Sequence, residues 1–371
     1  MDERSARMGL CALGAMASPK LAALVDAEGA TAVWAALRRG DEDSAWSRRA
    51  RGVDVTRMAA ATEACGSRFV VPGDPEWPSS LDGLRAAEVS GQGGAPFGLW
   101  VLGAPVGDLT GGVAIVGARA ATQYGQHVAQ ELAADLAAGG LPVVSGLAHG
   151  IDAAAHRGAL VTGGRTVAVV AGGVDEPYPA SNAALAAQIA RRGSVVSEAP
   201  PGVRPTRPAF LARNRLIAGL SEGVVVVEAA LRSGAKNTAA WGNELGRVVM
   251  AVPGQVTSSM SQTPHRLVRD GQAVLVTDSR DVRELLEPLG TVEEAPRRGR
   301  DTALDRLPPE QRALREAFVV GEEVSSGVLA RRTGLPMPVC LASLHALVEG
   351  RWIEEGDGGG WRLPVAPVGG N

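Results

Sequence analysis

The sequence has little cysteine, almost no lysine, few aromatics and no long apolar run. Its cysteines, Cys11, Cys65 and Cys340, are odd in number, far apart and outside any C-x-x-C pair. That excludes a disulfide framework and a cysteine zinc site, and fits a reducing compartment. Lysine stands only at Lys20 and Lys236, so arginine supplies nearly all the basic charge. This usage is read as coding bias, and arginine richness alone carries no functional meaning. The formal net charge of −3 excludes a nonspecific polycation but leaves room for a local basic groove. No apolar run reaches the length of a membrane-spanning helix. The start, MDERSARMGLCALGAMAS, lacks the sustained apolar core of a secretory signal. The expectation is a cytoplasmic protein with no membrane association.

What is present describes an ordinary globular chain: 371 residues, 45% hydrophobic and 21% charged, enough for two or three domains. Residues 1–66 carry helical patterns (Leu10, Leu13, Leu21, Leu24, Val25, then Val33, Trp34, Leu37), with Ser18-Pro19 as an N-cap and first helical position. The stretch from Val70 to Gly107, rich in Pro, Gly and Trp, predicts a connection with one or two short strands. Within 67–292, apolar strands at Val113–Val116, Pro142–Ser145, Thr166–Ala171, Ser194–Ser197, Gly223–Val227, Val248–Val252 and Ala273–Val276 alternate with helical stretches. Continuous valine runs such as Val224–Val227 mark strands buried on both faces. The alternation predicts an α/β fold, a Rossmann-like doubly wound parallel sheet. A polar linker, 293–307, leads to 308–371, where three helices and a glycine hairpin resemble a winged helix.

Ligands of such a sheet bind at the C-terminal ends of its strands. The first strand runs into GARAATQYG, a glycine-bracketed turn containing Arg119 and Thr122 before a helix near Gln123. A helix start of this kind leaves N–H groups open to phosphate, and Arg119 adds a guanidinium fork. The glycines do not follow G-x-G-x-x-G, so the dinucleotide fingerprint is absent. Alone, this turn stands equally for a ligand loop or a plain connection. The second strand ends in SGLAHGIDAAAH, with Ser145, Gly146 and His149. The third ends at Gly172-Gly173, open between turn geometry and ligand contact. After the fourth come Arg204, Arg207, Arg213 and Arg215 with no acidic residue from Pro200 to Arg215, and with Phe210 and Asn214 among them. After the fifth, Ser233, Gly234, Lys236 and Thr238 open a helix. Several such turns on one sheet edge signal an anion site, and arginines interleaved with an aromatic fit a single-stranded nucleic acid. Asp152 reads as a local cap or pair rather than a general base, and Asn214 as a helix cap or a ligand contact. His149 and His156, seven apart with no third ligand, do not read as a metal site. No catalytic set declares itself, so the site is read as holding an anion rather than breaking a bond.

In order, VGARAATQYG, SGLAHGIDAAAHRGAL, YPASN, RNRLIAGLS, VVVVEAALRSGAKNTA and AVPG resemble the DNA-processing protein A (DprA, or Smf) family, over about Gly73 to Asp278. The resemblance implies a cytoplasmic protein that binds and protects single-stranded DNA, loads the RecA recombinase in recombination and natural transformation, and forms homodimers. It implies no catalysis and no cofactor. The family's DNA pocket matches Arg119; Ser145 and Gly146; Phe210, Arg213, Asn214 and Arg215; and the Ser233-Gly234 turn with Lys236 and Thr238. Gly117, Thr122 and His149 complete the expected DNA-binding set. The flanks fit a SAM or helix-hairpin-like domain before the sheet and a winged helix after it. Three departures stand out. His149 replaces a basic residue of the family motif, making one charge depend on pH. SSMSQTPHRL lacks a glycine pattern common in the family. The last helix, Pro338–Val348, has no Arg or Lys, which favours a protein-interaction or regulatory role for its domain. Two alternatives stay open: a nucleotide phosphoribohydrolase of the lysine-decarboxylase-like (LOG) family, whose P-G-G-x-G-T-x-x-E motif is missing here, and a passive nucleotide sensor.

Overall fold

Strands made of unbroken apolar residues need cover on both faces, and in the computed structural model they have it. The structure describes residues 1–41, 44–288, 303–356 and 358–364. The chain divides into two compact units, Met1–Glu293 and Glu294–Asn371.

The first unit opens with helices α1 (Glu3–Cys11), α2 (Pro19–Glu28), α3 (Ala30–Arg39), α4 (Ala45–Gly52) and α5 (Val55–Ala64). Asp2, Ser18, Ser44 and Asp54 cap four of them, each side chain accepting an otherwise orphaned N–H. Strand β1 (Arg68–Val70), the small pair β2 (Glu88–Val89) and β3 (Gln92–Gly93), and β4 (Leu99–Gly103) follow. The alternating region runs β5 (Val113–Val116), α6 (Gln123–Ala138), β6 (Val143–Ser145), α7 (Ile151–Val161), β7 (Thr166–Val170), α8 (Ala183–Arg192), β8 (Ser194–Ser197), α9 (Arg207–Gly219), β9 (Gly223–Val226), α10 (Ala235–Glu244), β10 (Val248–Ala251), α11 (Gln262–Arg269), β11 (Val274–Leu275) and α12 (Ser279–Leu286).

Nine strands form one sheet in the order β1-β4-β8-β7-β6-β5-β9-β10-β11. From β8 to β11 all neighbours are parallel, while β4 and β1 extend the edge antiparallel. This is the doubly wound sheet expected from the alternation. The Pro- and Trp-rich connection supplies two of its strands, and Trp100 of β4 donates from Nε1 to Thr62 Oγ1 at 2.9 Å. Successive strand residues point to opposite faces. Val224 and Val226 join a core with Leu216 and Trp241 of α9 and α10, whereas Val225 and Val227 join Leu132, Leu136 and Ile151 of α6 and α7. Helices α1–α3 share a single apolar core with β1, β4 and α8. The order reverses beside β5: β6 lies on one side and β9 on the other, leaving a crevice at their C-terminal ends.

One polar chain crosses this packing. His156 of α7 is fully buried, its Nδ1 is 2.7 Å from Thr166 Oγ1, and that hydroxyl donates to Val143 O at 2.9 Å. With the hydroxyl proton so committed, Nδ1 carries the imidazole proton and donates. Burial, with Arg213 and Arg157 nearby, lowers the His156 pKa from its ordinary 6.5 to about 3. The unfolded chain therefore takes up a proton below about pH 6.5 that the fold refuses until about 3. His156 contributes full stability above that window, and loses it by about 1.4 kcal/mol per pH unit on acidification through it. Urea midpoints at neutral and mildly acidic pH will show this slope, and His156→Gln will flatten it. An equal slope in the variant would assign the acid sensitivity elsewhere.

The second unit contains α13 (Pro309–Glu316), α14 (Ser326–Thr333), α15 (Met337–Glu349) and an antiparallel pair, β12 (Glu354–Glu355) with β13 (Trp361–Arg362). Leu314, Phe318, Leu329, Leu344, Leu347 and Trp361 form its core.

Candidate nucleic-acid interface

A cleft of about 750 Å3 lies at the crevice outside β5 and β9. Its walls are the β5–α6 turn, one face of α9 and the start of α10. The arginine-rich segment folds as α9 because Thr206 caps it, accepting from Ala209 N, and a proline sits in its first turn. Helical phase then brings Arg207, Phe210, Arg213 and Asn214 to the cleft. Phe210 is half-buried, and the Arg119 guanidinium carbon stands 4.9 Å from its ring centre. The Tyr178 ring lies 5.7 Å from that of Phe210, tilted by 59° to it. Arg119, Arg207, Arg213 and Arg232 give the cleft its charge, and Asp152 is the one carboxylate among its described lining residues.

Arg213 and Asp152 form the buried floor. Arg213 Nη1 donates to Val169 O at 2.6 Å, and burial lowers its pKa to about 10, opposed by Asp152, so it stays cationic at neutral pH. Burial raises the Asp152 carboxyl, against the pull of Arg213 and the Ala148 N–H. Asp152 accepts locally, from Ala148 N at 3.3 Å. Gly146 exists to admit Arg213: a Cβ there would fall 1.9 Å from Arg213 Nη1. Asn214 Nδ2 donates to Asn237 Oδ1 at 3.1 Å and to Gly234 O at 3.4 Å, tying α9 to the turn that starts α10.

The structure brings together Gly117, Arg119, Phe210, Arg213, Asn214, Ser233, Gly234 and Thr238 from the expected set. It places the others differently. Arg215 is buried away from the cleft, its Nη2 2.7 Å from Glu198 Oε1. Ser145 Oγ is buried and donates to Ile115 O. His149 is exposed beside Ser181, Lys236 is exposed on α10, and neither lines the cleft. Sequence reasoning missed Arg232, Asn237 and Tyr178 as members of the site.

The largest surprise is Glu228, the second residue after β9. Its Oε2 accepts from Thr122 N at 2.9 Å and its Oε1 from Thr122 Oγ1 at 2.7 Å, while its backbone oxygen accepts from Ala118 N at 2.6 Å. Thr122 in turn caps α6, accepting from Gly125 N. A Cβ on Gly125 would meet Glu228 Oε2 at 2.3 Å. The glycine turn therefore encloses an internal carboxylate at the α6 N-terminus, where the sequence suggested phosphate. The helix dipole favours that charge as it would a ligand's.

Comparison with known proteins places the chain in a family. The profile of the family described as DNA recombination-mediator protein A matches residues 68–287. A DNA processing protein DprA of Mycobacterium tuberculosis is 46% identical over 314 residues, 82% of this chain and 79% of that protein. Protein Smf of Escherichia coli is 39% identical over 259 residues, covering 68% of this chain and 67% of its own length. Among solved structures, DprA of Streptococcus pneumoniae matches with a TM-score of 0.64 at 32% identity, over 76% of this chain and 96% of that one. DNA processing protein A of Helicobacter pylori, whose structure concerns its single-stranded DNA binding mode, matches with a TM-score of 0.51 at 27% identity, over 59% and 96%. With the profile spanning the sheet and nearly half the residues shared with a relative over most of both lengths, this chain belongs to the DNA recombination-mediator protein A family.

Proposed function

We propose that the chain binds single-stranded DNA in the cleft at the β5–β9 crevice, and that binding rather than catalysis is its role there. The observation that carries this reading is the Arg119 guanidinium over the Phe210 ring in a basic cleft, with the Tyr178 ring beside Phe210. An aromatic ring that is only half-buried at a cleft offers a stacking edge to any base, and the guanidinium groups pair with phosphates. A duplex keeps its bases stacked internally and gains nothing from such an edge. The Helicobacter pylori relative's single-stranded DNA binding supports the same reading. Asp152, the cleft's carboxylate, accepts from the Ala148 N–H of its own helix start, with Arg213 opposing the rise that burial imposes on it. In the wider role that the family implies, the protein is a cytoplasmic homodimer that protects the strand and hands it to RecA. The C-terminal unit is then a winged helix serving protein contacts.

Fluorescence anisotropy of labelled single- and double-stranded oligonucleotides across a salt series tests the cleft. Phe210→Ala will weaken single-strand binding by about tenfold with an unchanged salt slope, since one stacked base is worth about 1–3 kcal/mol. Arg119→Ala will weaken binding and also flatten the slope, by about 0.7 for one lost phosphate. Equal affinity for both DNA forms, or indifference to both substitutions, would sink the proposal.

A further inference from the structure

A second groove, of about 410 Å3, lies over α7 between α6 and α8. Helix α7 has four alanines and one glycine among its eleven residues, and of these residues only Arg157 and Val161 are exposed. These form the floor, with Gln130 of α6 on one wall and Gln188, Arg191 and Arg192 of α8 on the other. We propose that this groove is a second track for single-stranded DNA, continuing the path of a strand held in the cleft; the inference rests on the cleft reading.

Charge is the first argument. The lining holds three guanidinium groups and no carboxylate, in a chain whose net charge is −3. Arg192 Nη1 donates to Leu160 O at 3.2 Å. Among the described residues, neither Arg157 nor Arg191 has a hydrogen-bond acceptor or an ion-pair partner. Arg191 and Arg192 sit in the last turn of α8, where the helix dipole favours cations. Nothing of that kind accounts for Arg157, midway along α7 and beside the buried His156 whose protonation it opposes. An uncompensated guanidinium on the floor of a groove fits an anion resting above it.

Continuity is the second argument, and it favours DNA over an acidic peptide. Helix α7 joins the two places: Asp152 in its first turn lines the cleft, and Arg157 lies five residues on, a rise of about 7.5 Å. Five residues also turn about 140° round the helix axis, so a strand leaving the cleft reaches this groove by passing round α7. With no aromatic side chain in its lining, the groove contacts phosphates only. Its contribution is therefore electrostatic and independent of base sequence.

The test compares labelled oligonucleotides of about 6 and about 30 nucleotides, the shorter filling a single cleft-sized site. The protein carries either the double reversal Arg157→Glu/Arg191→Glu or the charge-keeping pair Arg157→Lys/Arg191→Lys, all at exposed positions. The expected result is unchanged affinity of both variants for the short strand. For the long strand the reversal will cost about tenfold or more and flatten the salt slope by about 1.4, and the lysine pair will restore both. Long-strand binding by the reversed variant equal to the parent's would overturn the second track. Failure of the parent to bind the short strand would instead overturn the cleft reading on which it rests.

Discussion

Replacing Arg215 with alanine is expected to destabilise the fold by about 3–5 kcal/mol while leaving DNA affinity of the folded protein unchanged. Arg215 lies two residues from Arg213 in the same basic segment, and both are expected in the pocket from the sequence. Their surroundings differ completely. The Arg215 and Glu198 side chains, on α9 and on the residue after β8, are 1% and 4% exposed and joined at 2.7 Å. Arg215 Nε and Nη1 and Glu198 Oε2 have no further partners among the described residues. Cys11 of α1 lies close enough that Glu198 adds to the rise that burial imposes on its thiol. Truncating Arg215 strands a carboxylate in this apolar surrounding, which costs far more than the pair itself contributes. The double replacement Arg215→Met/Glu198→Gln removes both charges and should recover most of the loss. Urea unfolding measures the first effect and anisotropy of a short labelled strand the second. Near-parental stability of Arg215→Ala combined with lost binding would show that this arginine reaches DNA after all.

That contrast shows where the sequence was legible. Val113–Val116 and Gly223–Val226 announce buried parallel strands by composition alone, and with them the crevice. Arg119, Phe210 and the Ser233–Thr238 turn follow because they stand at strand ends. The assignment blurs within α9, since charge counting treats its arginines alike. The missing signal was phase. With Thr206 and Pro208 as a helix start, residues 207, 210, 211, 213, 214 and 217 recur at three- and four-residue steps and share the cleft face. Arg215 falls off that stripe. Ser145 is hidden for the same kind of reason: it ends a strand, and its hydroxyl turns inward to Ile115 O. Glu228 offered no local signal, because its partner Thr122 is 106 residues away in sequence and only the sheet order brings them together.

Glu228 also allows a prediction whose sign discriminates. Removing a carboxylate beside a basic cleft proposed to hold DNA should, by relief of Coulomb repulsion alone, tighten DNA binding. We expect the opposite. Glu228→Ala deprives Thr122 of acceptors for both its N–H and its hydroxyl, in a site where Glu228 is 3% exposed. Hydrogen bonds to charged groups contribute about 1.5–3 kcal/mol each, so the fold should lose about 3 kcal/mol or more. The turn carrying Arg119 loses its anchor at the same time, three residues from the capping Thr122. The Arg119 guanidinium then no longer rests on the Phe210 ring, and single-strand affinity should fall about tenfold, close to the effect of Arg119→Ala itself. Glu228→Gln keeps one acceptor oxygen in place and should lie between the parent and Glu228→Ala in both stability and affinity. Combining Glu228→Ala with Arg119→Ala should weaken binding little beyond either change alone, because both act through one guanidinium. Tighter binding by Glu228→Ala would mean that charge outweighs position, and that the internal carboxylate serves the helix terminus without organising the cleft.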